Sequence, residues 1–262
     1  MDAPTPRQER LLQLVRARGF APLDVLAETL GVSAQTIRRD VARLTELRLL
    51  QRFHGGAGVP AADAVRLGWG DKRVLGAEAK AAVGAAAAAM VPPGASVFLD
   101  VGTTVEAAAA ALARRGSPLR VVTSSLRSAL ALAGVEGVEV MVPGGVLRGA
   151  DGSLAGGATL AGLEPMRVDL ALLGCSGFDP DDGAPMDWDP EKVAVKRIML
   201  GAARRVLVLA DAAKHERRAL MRIAPPSAIA ALVTDRLPPA SIAAALAAAG
   251  VEIALADQSS AR

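Results

Sequence analysis

A chain of 262 residues, 52% hydrophobic and 22% charged, is long enough for two modest domains and too apolar to be intrinsically disordered. Its single cysteine, Cys175, excludes an internal disulfide and a cysteine-cluster metal site, and its two histidines, His54 and His215, offer no imidazole set in exchange, so no metal and no cofactor are expected. The formal charge of +3 lies wholly in residues 1–60, where nine arginines and no lysine face six acids, while the later twenty-one bases and twenty-one acids cancel.

That asymmetry suits a polyanion partner for the first segment; a solvated surface is the plain alternative, and placement has to decide between them. The opening MDAPTPRQER lacks the layout of a secretory signal, and the longest apolar run, Ala81 to Val91, has eleven residues against the roughly 20 that cross a bilayer. A cytoplasmic protein with no membrane partner is the expectation.

Apolar residues Leu11, Leu14, Val15 and Phe20 recur at helical spacing after Pro6, which predicts a first helix over 6–18, ended by Gly19. Leu23, Leu26, Ala27 and Leu30 supply a second, shorter helix that Pro22 starts and Gly31 ends. Gly31, Val32 and Ser33 then form a tight turn, with the Ser33 hydroxyl suited to cap a third helix that begins inside SAQTIRRD. Ile37, Val41 and Leu44 lie at i, i+4 and i+7 and face the core, leaving Gln35, Thr36, Arg38, Arg39 and Arg43 outside.

A helix, a tight turn and a second helix with amide, hydroxyl and guanidinium groups at its exposed start is the arrangement that enters a DNA major groove. Gln pairs with adenine edges and Arg with guanine N7 and O6, while Ser33, Thr36 and the helix amino terminus suit phosphate. Downstream, Leu50 to His54 alternates apolar and polar residues before Gly55-Gly56 and reads as a hairpin wing, from which Arg52 and His54 are candidate contacts to phosphate or a minor groove. A lone histidine is more often structural, so Arg52 is the stronger of the two.

The stretch from Arg7 to Gly58, above all VSAQTIRRDVARL followed by RFHGGA, resembles the winged helix-turn-helix of DeoR-type bacterial sugar-metabolism regulators. The resemblance implies a regulator bound to a double-stranded DNA operator. Helix-turn-helix proteins commonly read paired half-sites by two-fold symmetry, so a homo-oligomer, dimer or tetramer, is expected.

The organisation expected is a DNA-binding domain over 1–60, a linker over 61–75 and a second domain over 76–262. In the last, SVFLD, LRVVT, VEVMV, VDLALL, RVLVLA, IAALVTD and VEIAL are near-continuously apolar and alternate with helical segments. That pattern predicts a doubly wound, mainly parallel α/β sheet covered on both faces.

Ligands of such sheets bind beyond the carboxyl ends of the strands. There SVFLD ends at Asp100 and runs into Gly102, Thr103 and Thr104 before a helix, a place for phosphate that a plain turn and cap explain equally well. LRVVT ends at Thr123 and Ser124, VEVMV leads to Gly144 and Gly145, and RVLVLA ends at Asp211 with Lys214 three residues on. Taken together they fit a small, anionic, hydroxyl-rich ligand, Lys214 neutralising phosphate and the acids accepting sugar hydroxyls. Glu191 completes the candidate set.

This half, from about Glu78 to Asp235, also resembles the DeoR effector domain through DVGTT, VVTSS, VPGG, VDLALLG and LADAAK. The resemblance implies a fold related to ribose-5-phosphate isomerase, a phosphorylated sugar effector near Asp100, Gly102, Thr103 and Thr104, and a pocket closed by Asp211 and Lys214. Two positions depart from the family pattern, Ser124 in place of Asn and Lys192 in place of Ala.

The rival reading is a phosphosugar isomerase fused to a DNA-binding domain, with Glu191 as its carboxylate base. Against it, Leu173, Ser176 and Gly177 occupy places that are acidic in the isomerase strand-end string, and the nearby Asp179, Asp181, Asp182, Asp187 and Asp189 form an acidic loop of a kind ordinarily solvated. No catalytic residue is therefore assigned. Cys175 and His215 follow no nucleophile pattern, and no G-x-G-x-x-G follows SVFLD to hold a dinucleotide.

Overall fold

The computed structural model describes residues 4–18, 20–47, 49–53, 56–58 and 69–256, and the chain divides into two compact units, 1–77 and 78–262. In the first, α1 (Pro6–Arg18), β1 (Phe20–Pro22), α2 (Leu23–Leu30), α3 (Ala34–Glu46), β2 (Gln51–Phe53) and β3 (Gly56–Gly58) are followed by α4 (Trp69–Val74). Leu11, Val15, Leu26, Ile37, Val41 and Leu44 meet in one core, so the three apolar stripes read from the spacing face one another. Gly31 ends α2 in the left-handed conformation at φ 65°, with its N–H returned to the last turn of that helix, as the sharp entry into α3 requires.

The wing carries a strand that periodicity did not reveal. Phe20–Pro22 pairs antiparallel with β3, giving the order β1-β3-β2. Three residues ahead of a helix are too short for an alternation signal, and it is the free edge of the hairpin that makes them a strand.

The second unit contains α5 (Ala77–Ala89), β4 (Ser96–Leu99), α6 (Thr103–Arg115), β5 (Leu119–Thr123), α7 (Leu126–Leu132), β6 (Val138–Met141), β7 (Val146–Arg148), β8 (Ser153–Ala155), α8 (Gly157–Leu163), β9 (Val168–Gly174), β10 (Gly177–Phe178), β11 (Pro185–Asp187), α9 (Pro190–Ala202), β12 (Ala203–Leu209), β13 (Met221–Arg222), β14 (Ala231–Thr234), α10 (Ala240–Ala248) and β15 (Glu252–Leu255). The seven apolar segments form one parallel sheet in the order β15-β14-β12-β9-β4-β5-β6.

Successive side chains serve opposite faces. Val97 and Leu99 join the core beneath α5, α6 and α7, and Phe98 joins the one beneath α8, α9 and α10. Both faces of the central strands are covered, hence their continuous apolar runs; edge strand β6 is only half-buried. The alanine-rich helices pack closely, since a Cβ on Gly84 of α5 would fall 2.6 Å from the backbone of Ala107 and Ala108 in α6.

Chain order reverses between β4 and β9: β5 and β6 extend the sheet one way, and β12, β14 and β15 the other. Such a switch point opens a crevice beyond the strand ends. Two additions unforeseen in the sequence flank it, the β7-β8 hairpin and a small antiparallel sheet in the order β10-β11-β13.

Candidate functional site

The start of α3 is built by its cap. Ser33 Oγ accepts from Thr36 N–H at 3.2 Å and lies 2.9 Å from Thr36 Oγ1, which ties that hydroxyl to the turn. Ser33, Gln35, Arg38 and Arg39 are exposed, whereas Thr36 and Arg43 are half-buried and Arg43 pairs with Glu46 at 3.2 Å. Arg52 is exposed on β2, and His54 lies outside the described residues.

Sequence reasoning missed Asp40. Though on α3 between Ile37 and Val41, it is only 4% exposed, and it accepts from Arg7 at 2.6 and 3.2 Å and from Gln8 Nε2 at 3.0 Å, joining α3 to the first turn of α1. Burial pushes its carboxyl up, but the Arg7 and Gln8 hydrogen bonds and the Arg7 charge outweigh that and hold it below the usual range. A carboxylate in the apolar stripe was the available signal.

In the second unit, Asp100 ends β4 at the switch point. Its Oδ2 accepts from Gly174 N–H at 3.0 Å, across to the end of β9, and meets Lys196 Nζ at 2.9 Å. Lys196, on α9, also lies 3.0 Å from Asp187, whose Oδ1 accepts from Ser176 Oγ and Trp188 N–H. Asp100 and Lys196 are each 1% exposed.

Burial disfavours the charge on Lys196, but its two carboxylates outweigh this and keep it protonated. Burial likewise pushes Asp187 up, and Lys196, Ser176 and Trp188 bring it down to about 2. For Asp100 full burial is the larger influence and pushes the carboxyl up, opposed by Lys196 and the Gly174 N–H. The stripe Val193, Lys196 and Met199 on α9 contains the signal for this lysine.

Gly102 starts α6 at φ 141° and has no side chain to cap it; Thr103 beside it is half-buried and Thr104 is buried. The first amides of a 13-residue helix therefore face the crevice without a side-chain acceptor on the cap. Ser124 Oγ is buried and has no hydrogen-bond partner among the described residues. The Thr123 hydroxyl, by contrast, donates to Leu99 O at 2.6 Å and accepts from Ser125 N–H at 3.0 Å, so it fastens β5 to β4.

Gly144 O accepts from Thr159 Oγ1 at 2.8 Å, and a Cβ on Gly145 would sit 1.9 Å from that same oxygen, so only glycine fits this turn. Asp211 is buried and caps the short 3-10 turn carrying Lys214 by accepting from Ala213 N–H at 3.1 Å. Lys214 is half-buried, with no salt bridge among the described residues. Glu191, in the first turn of α9, is exposed and paired with Arg148.

The acidic loop is not the solvated segment that was expected. Asp187 belongs to the Lys196 network, Asp179 and Asp182 bind Arg222 at 3.0 and 2.5 Å, and Asp189 caps α9 by accepting from Glu191 N–H at 3.0 Å. Of the five acids only Asp181 is exposed. The small antiparallel sheet, invisible to periodicity, folds the loop back over these bases. Burial pushes the Cys175 thiol up to about 12, which leaves it protonated and a poor nucleophile. Among the described residues no group of three or more His, Cys, Asp and Glu could hold a metal ion, and no helix is long and apolar enough to cross a membrane.

Two family models match this chain, the DeoR-like helix-turn-helix domain over residues 7–62 and the DeoR C terminal sensor domain over residues 76–236. The chain belongs to the DeoR family and is a DNA-binding transcription regulator. It is 37% identical over 238 residues to the glycerol-3-phosphate regulon repressor of Escherichia coli strain K12, covering 91% of this chain and 93% of that one. It is also 37% identical over 250 residues to the HTH-type transcriptional repressor CsqR of the same strain, covering 95% of each. Among solved structures, ribose 5-phosphate isomerase A from Methanocaldococcus jannaschii matches 53% of this chain and 54% of its own at a TM-score of 0.40 and 16% identity.

Proposed function

We propose that this regulator is a homo-oligomeric cytoplasmic repressor whose second unit binds a phosphorylated sugar or polyol and thereby changes operator affinity. Gln35, Arg38 and Arg39 read base edges from α3, with Ser33, Thr36, Arg43 and Arg52 on the backbone. Phosphate is received by the amides of Gly102, Thr103 and Thr104 together with Lys214, while Asp100, Ser124, Gly144, Gly145, Glu191 and Asp211 surround the hydroxylated part. Thr123 holds the crevice open through β4 and β5.

The observation that carries this reading is that an α6 start without a side-chain cap and a lysine without a salt bridge among the described residues stand at the carboxyl ends of strands of the same sheet, on either side of its switch point. The glycerol-3-phosphate regulon repressor among its relatives supports a phosphorylated small molecule as effector. To act, such a ligand has to favour one conformation over the other.

A thermal-shift screen with glycerol 3-phosphate and a panel of sugar phosphates tests it. A ligand present at a hundred times its Kd adds about 2.7 kcal/mol of stability, and Lys214→Ala is expected to abolish the shift. A panel without any hit would sink the effector reading.

A further inference from the structure

The segment from Pro143 to Gly156 forms a strap along one side of the crevice. Its base is fixed where Thr159 Oγ1 donates to Gly144 O at 2.8 Å. It returns to the sheet where Leu154 N–H donates to Ser124 O at 2.8 Å and Ser153 bridges Ser125. Between those anchors charge alone ties it to α9: Arg148 reaches Asp189 at 3.3 Å and Glu191 beside it, and Asp151, at the turn, pairs with Lys192. Asp151 also accepts from Ser153 N–H and Oγ at 3.1 and 2.9 Å, which sets its carboxylate toward the lysine.

The placement makes this more than surface decoration. Both anchors of the strap, Ser124 and Gly144, belong to the proposed ligand set, and so does Glu191, which Arg148 holds. Three ion pairs of both polarities, a strap cation on two acids at the start of α9 and a strap acid on a helix cation, fix the register of the strap against the first turn of α9. All five side chains are partly exposed, so each pair is individually weak, screened by salt and able to open.

We propose that Arg148 and Lys192 are positioning residues of the ligand site, forming a clasp that seats the strap on α9 and aims Glu191 and the Gly144-Gly145 turn at the hydroxylated end of the ligand. This rests on the phosphosugar reading given above. The clasp makes ligand affinity depend on Arg148 and Lys192, which do not themselves touch ligand.

The test uses the full chain with Lys192→Asp, Asp151→Lys and the two combined. Cleavage after Arg148 by an arginine-specific protease reads release of the strap, and the thermal shift with glycerol 3-phosphate and the sugar-phosphate panel reads the site. Each single reversal is expected to speed that cleavage about tenfold, because cleavage follows the open population, and to weaken the ligand-induced shift. The combined swap restores the ion pair, though not the Ser153 hydrogen bonds to position 151, and is expected to recover most of both.

A purely structural contact would lower the unliganded midpoint of the single variants and leave their ligand response intact, and that result overturns the proposal. Equal cleavage in all four proteins overturns it too. A wild-type chain that no compound in the panel shifts removes the phosphosugar reading and the clasp's role with it, whereas a responsive wild type with equally responsive reversals removes the clasp alone.

Discussion

Asp40 on α3 and Asp100 at the foot of α6 are both buried carboxylates beneath a working helix, but their partners differ. Asp40 is met by an arginine whose side chain is 45% exposed, and Asp100 by a lysine that is 1% exposed and shared with Asp187. A partner in water leaves its helix attached by contacts that solvent can replace. A partner in the interior commits every element around it, since no water is available to any one charge when another is removed. The difference teaches that α3 is seated through a contact that solvent can replace, whereas the switch point of the second unit is held by one that solvent cannot.

Lys196→Met should break this contrast most strongly. Leaving Asp100 and Asp187 buried without their cation is expected to cost about 3–5 kcal/mol, seen as a large loss in the urea midpoint of the second unit. Adding Asp100→Asn should recover part of it; a Lys196→Met chain of unchanged stability would remove the network from the account.

Acid sharpens the comparison next. The folded-state pKa of Asp187 is depressed to about 2, so its contribution is complete above the unfolded value near 4 and is lost as pH falls through the folded one, worth about 2–3 kcal/mol. Chemical denaturation between pH 4 and pH 2 should show this loss, with Asp187→Asn flattening the slope.

Asp40→Asn should be milder, about 1–3 kcal/mol for a buried acceptor that keeps its shape and loses its charge. Operator affinity at fixed salt should fall with it, because α3 loses its bond to α1. A variant bound as tightly as wild type would show that this seat plays no part in DNA reading.

Much of the architecture was legible because it rests on local spacing. Ile37, Val41 and Leu44 declare a helix face, and seven apolar runs separated by helical segments declare a parallel sheet covered on both sides. The exposure of Gln35 and Arg39 followed from that same periodicity by elimination. The missed features all need a partner remote in sequence. β1 is a strand only because β3 offers it an edge, the strap is tied to α9 only because α9 presents charges, and Lys196, though it stands in an apolar stripe, has no visible partner until Asp100, 96 positions earlier, is folded against it.

Residue order alone settled where the main helices and the seven strands of the large sheet run, which faces are apolar and which strand ends carry hydroxyls, glycines and charge, since those depend on neighbours three or four positions away. Tertiary structure decided which charges are buried and what they hold. An acid in the loop from Asp179 to Asp189 has the same local chemistry whether solvated or enclosed, and only the small sheet folding over that loop takes water away from Asp187 and makes Lys196 its obligatory partner.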